Sequence, residues 1–111
     1  MMSPSRKQKK YEKMAKLFQA VANPVRLHIL DILIANSCFA AEKGSCVGEI
    51  NKKIDLPQPY ISKHLKVLKD CGILTYRREA NRIIYSFEQN DTLNELFEYL
   101  HEMWNSYTQC K

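Results

Sequence analysis

Val47-Gly48-Glu49-Ile50-Asn51-Lys52-Lys53-Ile54, then Asp55-Leu56-Pro57-Gln58-Pro59, then Tyr60-Ile61-Ser62-Lys63-His64-Leu65-Lys66-Val67-Leu68: this stretch decides the fold. The first part has the apolar period of a helix, the second is a proline-bearing turn, and a second helix follows at once. Together they form a helix-turn-helix. In the second helix Ile61, Leu65 and Leu68 recur at the spacing of one buried stripe, while Gln58, Tyr60, Ser62, Lys63 and Lys66 fall on the solvent side. The exposed set consists of groups that hydrogen-bond base edges or neutralise phosphates, which is what a helix laid in a major groove needs.

Downstream, Cys71-Gly72 ends that helix with a glycine suited to a left-handed cap. Ile73-Leu74-Thr75-Tyr76-Arg77-Arg78 and Arg82-Ile83-Ile84-Tyr85-Ser86-Phe87 alternate as two strands. Glu79-Ala80-Asn81 joins them, with Asn81 expected to take the positive φ of the turn. A last helix from Asp91 to about Tyr107 sets Leu93, Leu96, Phe97, Leu100, Met103 or Trp104, and Tyr107 on one face.

Upstream, residues 1–8 have the composition of a disordered basic tail. Tyr11, Met14, Leu17, Phe18 and Val21 then mark an amphipathic helix from Lys10 to Ala22. Asn23-Pro24 stops this helix and starts the next, because the residue before proline is pushed out of the α region and proline suits a first helical turn. In the second helix, Val25 to Ile34, a stripe of Leu27, Leu30 and Ile34 flanked by Ile29 and Leu33 is the expected centre of the core. Residues 36–45 form a low-periodicity link ending at Gly44, long for a compact domain. The predicted architecture is mainly α with a small β-hairpin (α+β), in the order α-α-α-α-β-β-α, as a single winged helix-turn-helix domain over residues 9–108.

A chain of 111 residues with net charge +5 favours a polyanionic partner. Residues 6–16 hold Arg6, Lys7, Lys9, Lys10, Lys13 and Lys16 against a single Glu12, whereas Glu95, Glu98 and Glu102 lie on the last helix. This asymmetry suggests a DNA-facing half joined to a half that faces elsewhere. Two terminal helices carrying Met14, Phe18, Phe97, Trp104 and Tyr107 leave more apolar surface than one small core hides, so a homodimer is expected. No run of about 18 apolar residues points to a membrane span, and the polar start lacks the apolar stretch of a signal peptide. A cytoplasmic protein is expected, with Cys38, Cys46, Cys71 and Cys110 reduced. The cysteines form no close Cys-x-x-Cys pair, which argues against a structural zinc knuckle. With three glycines and no nucleophile–base pair, paired carboxylates or phosphate-cradling loop in view, the sequence reads as a non-enzyme.

The pieces Ala22-Asn23-Pro24-Val25-Arg26-Leu27-His28-Ile29-Leu30, Cys46-Val47-Gly48-Glu49-Ile50, Leu56 through Leu68, Gly72-Ile73-Leu74 and Arg77-Arg78-Glu79 with Tyr85-Ser86 occur in an order and spacing that resembles the ArsR/SmtB family of winged-helix repressors. The resemblance covers roughly residues 15–105. It implies a homodimer paired through its first and last helices, for which Tyr11, Met14, Phe18, Leu93, Leu96, Phe97, Leu100 and Trp104 are the candidate interface. It also implies binding to an inverted-repeat operator in double-stranded DNA that an inducer would weaken. Carried over, the major-groove helix would present Gln58, Pro59, Tyr60, Ser62, Lys63 and His64, with Lys66 on the same exposed side, and the wing would bring Arg77, Arg78 and Arg82 to phosphates or a minor groove. Cations supply affinity that falls with salt, whereas Gln58, Ser62 and Tyr60 are the better base readers. Pro59 departs from the family's usual small residue and lacks both a hydroxyl and an amide hydrogen.

For the signal sensed, the resemblance implies three possibilities. Many members bind zinc on the last helix through an Asp-x-His start and a His-x-x-His or His-x-x-Glu end. Here Asp91-Thr92-Leu93 puts leucine where a ligand is needed and leaves His101 with Glu98 and Glu102, so that site is expected to be absent. Arsenic- and cadmium-sensing members open the helix-turn-helix with Cys-Val-Cys-Asp-Leu. Cys46-Val47-Gly48-Glu49-Ile50 keeps one sulfur, and a soft metalloid or metal needs two or three, with Cys38 and Cys110 as the further candidates. A persulfide- or oxidant-sensing branch pairs a cysteine of the second helix with one near the end of the last. Cys110 suits the latter, but Asp31 stands where the former belongs, and Cys38 lies seven residues on. A thiolate-bound metalloid or soft metal, a persulfide or oxidant, and no ligand at all therefore stay open, while Cys71, beside the capping glycine, reads as a small apolar residue. The competing function is a winged-helix module that binds protein, and the basic residues where apolar anchors would be needed argue against it.

Overall fold

The computed structural model describes residues 5–39, 44–88 and 92–109, with backbone alone over 37–39. The elements are α1 (Arg6–Val21), α2 (Pro24–Phe39), β1 (Ser45–Cys46), α3 (Val47–Lys53), α4 (Gln58–Asp70), β2 (Leu74–Glu79), β3 (Arg82–Phe87) and α5 (Thr92–Gln109). The predicted order holds, with one addition. Ser45 and Cys46 pair antiparallel with Tyr85 and Ile84, so the expected hairpin is a three-stranded sheet in the order β1-β3-β2. The buried Ser45 hydroxyl receives a hydrogen bond from the Asn36 side-chain amide, tying the end of the link to α2.

Helix α1 begins at Arg6, inside the stretch expected to be a tail. A capping box fixes it: the Gln8 amide donates to Ser5 Oγ and the Ser5 amide to Gln8 Oε1. Asn23 caps α2 through Oδ1, which accepts from the Val25 and Arg26 amides, with Pro24 opening the helix. The predicted cap at Gly72 has the Schellman form. Gly72 lies at φ +87, its amide donates to the Lys69 carbonyl, and the Ile73 amide donates to that of Leu68.

Met14, Leu17, Ile29, Leu33, Ile50, Ile61, Leu65, Leu68, Ile73, Leu74 and Leu96 form the buried centre. The expected stripe of α2 is corrected. Ile29 and Leu33 are fully buried, whereas Leu27 and Ile34 are 54% and 53% exposed, and of the three stripe residues Leu30 alone is buried. Helix α2 is apolar nearly all round, so periodicity does not choose its inner face and packing against α4 does. The basic first helix and acidic last helix do not separate into two halves. Lys13 Nζ lies 2.6 Å from Glu95 Oε2 and Lys10 Nζ 3.8 Å from Glu102 Oε2, with Phe18 edge-on to Tyr99 beneath them. The turn of the hairpin is also corrected, because the positive φ, +52, falls on Ala80 and not on Asn81. Among the described residues no single helix is long and apolar enough to cross a membrane.

Candidate nucleic-acid interface

Helix α4 divides along its length as the sequence predicts. Ile61, Leu65 and Leu68 are 0% exposed, and Gln58, Pro59, Tyr60, Ser62, Lys63 and Lys66 all face solvent. Pro57 is the residue before the helix and Pro59 lies in its first turn, where a missing amide hydrogen costs no helical bond. The turn is fastened by a residue the sequence did not mark: Asn51 Nδ2 donates to the Leu56 carbonyl at 2.9 Å, pinning α3 to the segment that leads into α4. The buried stripe seats α4 against the core and leaves its outer row exposed to solvent.

His64 leaves this outer row. It is half-buried, and its Nδ1 accepts a hydrogen bond from Arg26 Nε at 3.2 Å. Arg26 Nη1 also donates to the Gln19 and Ala20 carbonyls, so one guanidinium joins the end of α1 to α4. Burial, and then the positive charges of Arg26 and Lys63, lower the pKa of His64 below its ordinary value of 6.5. Protonation would remove the acceptor and add a cation beside two others. Because the folded value is depressed, the histidine's contribution to stability is present above about 6.5 and is lost as pH falls through the folded value. The urea midpoint of the wild type should therefore drop more steeply between pH 7 and pH 5 than that of His64→Gln, whose amide oxygen still accepts from Arg26 but does not titrate. Parallel curves would remove His64 as the cause.

The wing arginines are not equivalent. Arg78 is exposed, Arg77 Nε donates to Glu79 Oε1 at 2.8 Å, and Arg82 Nη1 lies 3.9 Å from Glu49 Oε1. On the side of the hairpin near the end of α4, Tyr76 and Tyr85 pack at 5.8 Å between ring centres, and Lys69 Nζ stands 5.0 Å over the Tyr76 ring. Burial, then Tyr76 and Asp70, raise the pKa of Tyr85, so its phenol stays protonated.

Of the three sensor candidates, Cys110 and the side chain of Cys38 lie outside the described residues. Cys46 is the residue before α3, and its thiol donates to Glu49 Oε1 at 3.3 Å. It lines an open cleft of about 390 Å³ with Val47, Gly48, Gln58, Asn81, Arg82 and Ile83, between the start of α4 and the wing. Cys71 donates to the Leu68 carbonyl and packs against the core. Among the described residues no group of three or more His, Cys, Asp or Glu side chains could hold a metal ion. Asp91 lies outside them, and the exposed His101 Nε2 is 3.0 Å from Asn105 Nδ2.

The candidate dimer surface splits in two. Met14 and Leu96 are buried in the protomer's own core, and Phe18 and Leu93 pack against it. Tyr11, Phe97, Leu100 and Trp104 are exposed, as are Met103 and Tyr107, which extend the same face of α5. Phe97 and Trp104 are each 63% exposed.

The family model described as "Bacterial regulatory protein, arsR family" matches residues 23–76, which run from the cap of α2 into β2. The chain is 39% identical over 95 residues to an uncharacterized HTH-type transcriptional regulator of Methanocaldococcus jannaschii, covering 85% of this chain and 98% of that protein. To the biofilm growth-associated repressor of Agrobacterium fabrum it is 33% identical over 97 residues, 87% of this chain and 76% of that one. A solved homodimeric winged helix-turn-helix DNA-binding domain from Mycobacterium bovis, described as a possible ArsR-family transcriptional regulator, superposes with a TM-score of 0.66 at 28% identity over 95% of this chain and 91% of that one. These relatives are regulators of transcription and not enzymes. With α4 seated by Ile61, Leu65 and Leu68, its other side exposed, and a basic wing after it, the chain belongs to the ArsR family of winged helix-turn-helix DNA-binding transcriptional regulators.

Proposed function

We propose that the chain is a homodimeric cytoplasmic repressor that occupies an inverted-repeat operator and is released by a thiol-directed signal. The observation that carries the DNA reading is the outer row of α4, where Gln58, Tyr60, Ser62, Lys63 and Lys66 are exposed together on a helix locked from behind. Dimerisation is supported by the apolar face of α5, where Phe97, Leu100, Met103 and Trp104 are exposed, and by the homodimeric relative. A two-fold pair of α4 helices calls for two half-sites about one DNA turn apart. Repression agrees with the name of the Agrobacterium fabrum relative, while a 31% identical relative of Vibrio cholerae is named a transcriptional activator.

Binding to the DNA upstream of the chain's own gene, measured by fluorescence anisotropy at two salt concentrations, tests this function. A specific complex that weakens with salt is expected, and no specific complex at low salt would overturn the proposal. Gln58→Ala or Ser62→Ala should lower the discrimination between operator and random DNA by about 1–3 kcal/mol, the loss of a good base contact. Lys63→Ala should weaken both complexes alike. An unchanged specificity ratio in both the Gln58 and Ser62 variants would refute the docking.

The thiol signal rests on Cys46, a partly exposed residue that lines the cleft between α4 and the wing and whose thiol is bonded to Glu49. Arsenite, cadmium or a persulfide should add a distinct mass to the intact protein and release the operator. Replacing Cys46 and Cys110 together by serine should keep DNA binding and abolish release. A wild type that forms no adduct with any of these reagents would exclude thiol sensing.

A further inference from the structure

Strand pairing sorts the arginines of the wing onto opposite faces. Arg77 pairs with Ile84 and Glu79 with Arg82, so Arg77, Glu79 and Arg82 share one face, while Arg78 pairs with Ile83 on the other, together with Tyr76 and Tyr85. On the first face the charges alternate. Arg77 is bonded to Glu79, Glu79 stands opposite Arg82, and Arg82 is paired with Glu49 reaching over from α3. Among the described residues Arg78 is in no salt bridge.

We propose that Glu49 and Glu79 are intramolecular competitors for the phosphates that Arg82 and Arg77 would otherwise bind, so that the wing commits one cation, Arg78, to the DNA backbone. The inference rests on the DNA-facing role of the wing and assigns a role to two acidic residues within it. The side chains of both pairs are about 40–54% exposed, and surface pairs of this kind add little to stability. The fold gains little from either ion pair, so the main effect of the pairing falls on the ligand. A phosphate approaching Arg77 must either displace Glu79 or sit beside it, and in both cases a carboxylate is left next to a phosphate. Affinity from backbone contacts grows with the number of phosphates neutralised, at about 0.9 units of salt slope per contact on duplex DNA. Arginines already neutralised by the protein add little to that number. The sequence-independent part of binding is thereby held down, and the share decided by Gln58, Tyr60 and Ser62 is not touched.

The test measures the affinity of the full chain for a random-sequence duplex as a function of salt. Glu79→Gln and Glu49→Gln should each bind several-fold more tightly than wild type and steepen the slope by about 0.9, the value of one added phosphate contact. Arg78→Gln should flatten the slope by a similar amount, while Arg77→Gln in the wild type should change it little. In the Arg77→Gln background, Glu79→Gln should give no further gain, which separates pairing from a simple change of net charge. Unchanged slopes in both glutamate variants, a gain from Glu79→Gln that persists without Arg77, or a full loss of slope from Arg77→Gln alone would each overturn the inference. Absence of any complex between wild type and the duplex at low salt is a different result, because it removes the DNA-facing reading itself and this inference with it.

Discussion

Leu65→Ala is expected to lower the stability of the chain by about 2–5 kcal/mol, the range for truncating a fully buried leucine. Leu65 is 0% exposed on the inner side of α4 and belongs to the cluster that includes Ile61 and Leu68 on the same helix, Ile50 on α3 and Leu33 on α2. Its removal leaves a cavity where these helices meet, and close packing from three elements leaves little scope for collapse. A domain of this size has roughly 5–15 kcal/mol in all, so the loss is a large share of the total. DNA binding should fall with it, although Leu65 reaches no base, because the outer row of α4 is aimed by the inner one. Leu56→Ala is the control: Leu56 is 36% exposed in the turn before α4, and a loss below about 1 kcal/mol is expected. Urea midpoints at constant slope measure both. Equal losses from Leu65 and Leu56 would refute the burial pattern assigned to the helix.

That pattern was legible in the sequence because α4 is strongly two-sided, with three apolar residues at helical spacing set against polar neighbours. Helix α2 shows the opposite case. Leu27, Ile29, Leu30, Ile32, Leu33 and Ile34 surround its axis, and only tertiary packing decides that Ile29 and Leu33 go inward while Leu27 and Ile34 stay exposed. The start of α1 escaped for another reason: its first turn, Arg6 to Lys9, has no apolar residue to set a period. The local signal there was Ser5 with Gln8 three residues on, a capping pair rather than a hydrophobic pattern.

Within the interface, which residues face solvent could be read from one helix, but which charges are already spent could not. His64 lies at an ordinary position on α4, and its loss from the outer row depends on Arg26, 38 residues earlier in the chain. Arg82 is likewise paired with a glutamate from α3. Both are long-range contacts, invisible to spacing along the chain. The antiparallel register of the hairpin explains why adjacent Arg77 and Arg78 differ so much, since successive strand residues point to opposite faces. The third strand was hidden as well, because two residues are too few to show alternation, and its only mark was the glycine just before it.

Replacing that glycine should produce the other large effect. Gly44 lies at φ +113, outside the range open to residues with a Cβ, and an added Cβ would stand 2.5 Å from the Tyr85 carbonyl oxygen and 2.9 Å from Ile84 Cγ2. The backbone strain alone is worth about 1–3 kcal/mol. The collision adds a similar term of about 1–3 kcal/mol, because its main partner is the backbone of β3 and cannot rotate away. Gly44→Ala should therefore cost roughly 3 kcal/mol or more in urea unfolding. The damage should be local in its first effects, since β1 holds Cys46, and through it the start of α3, against the sheet. Amide exchange at Ser45 and Cys46 should speed up more than exchange in α4. Gly48 predicts the reverse sign. It lies within α3 with ordinary φ, and the nearest atom to an added Cβ is Cys46 Sγ at 4.0 Å. Gly48→Ala should thus leave stability unchanged or raise it by up to about 1 kcal/mol, as alanine costs a helix less than glycine. A Gly44→Ala protein as stable as the wild type would mean that β1 does not pack on β3 as described, whatever the behaviour of Gly48→Ala.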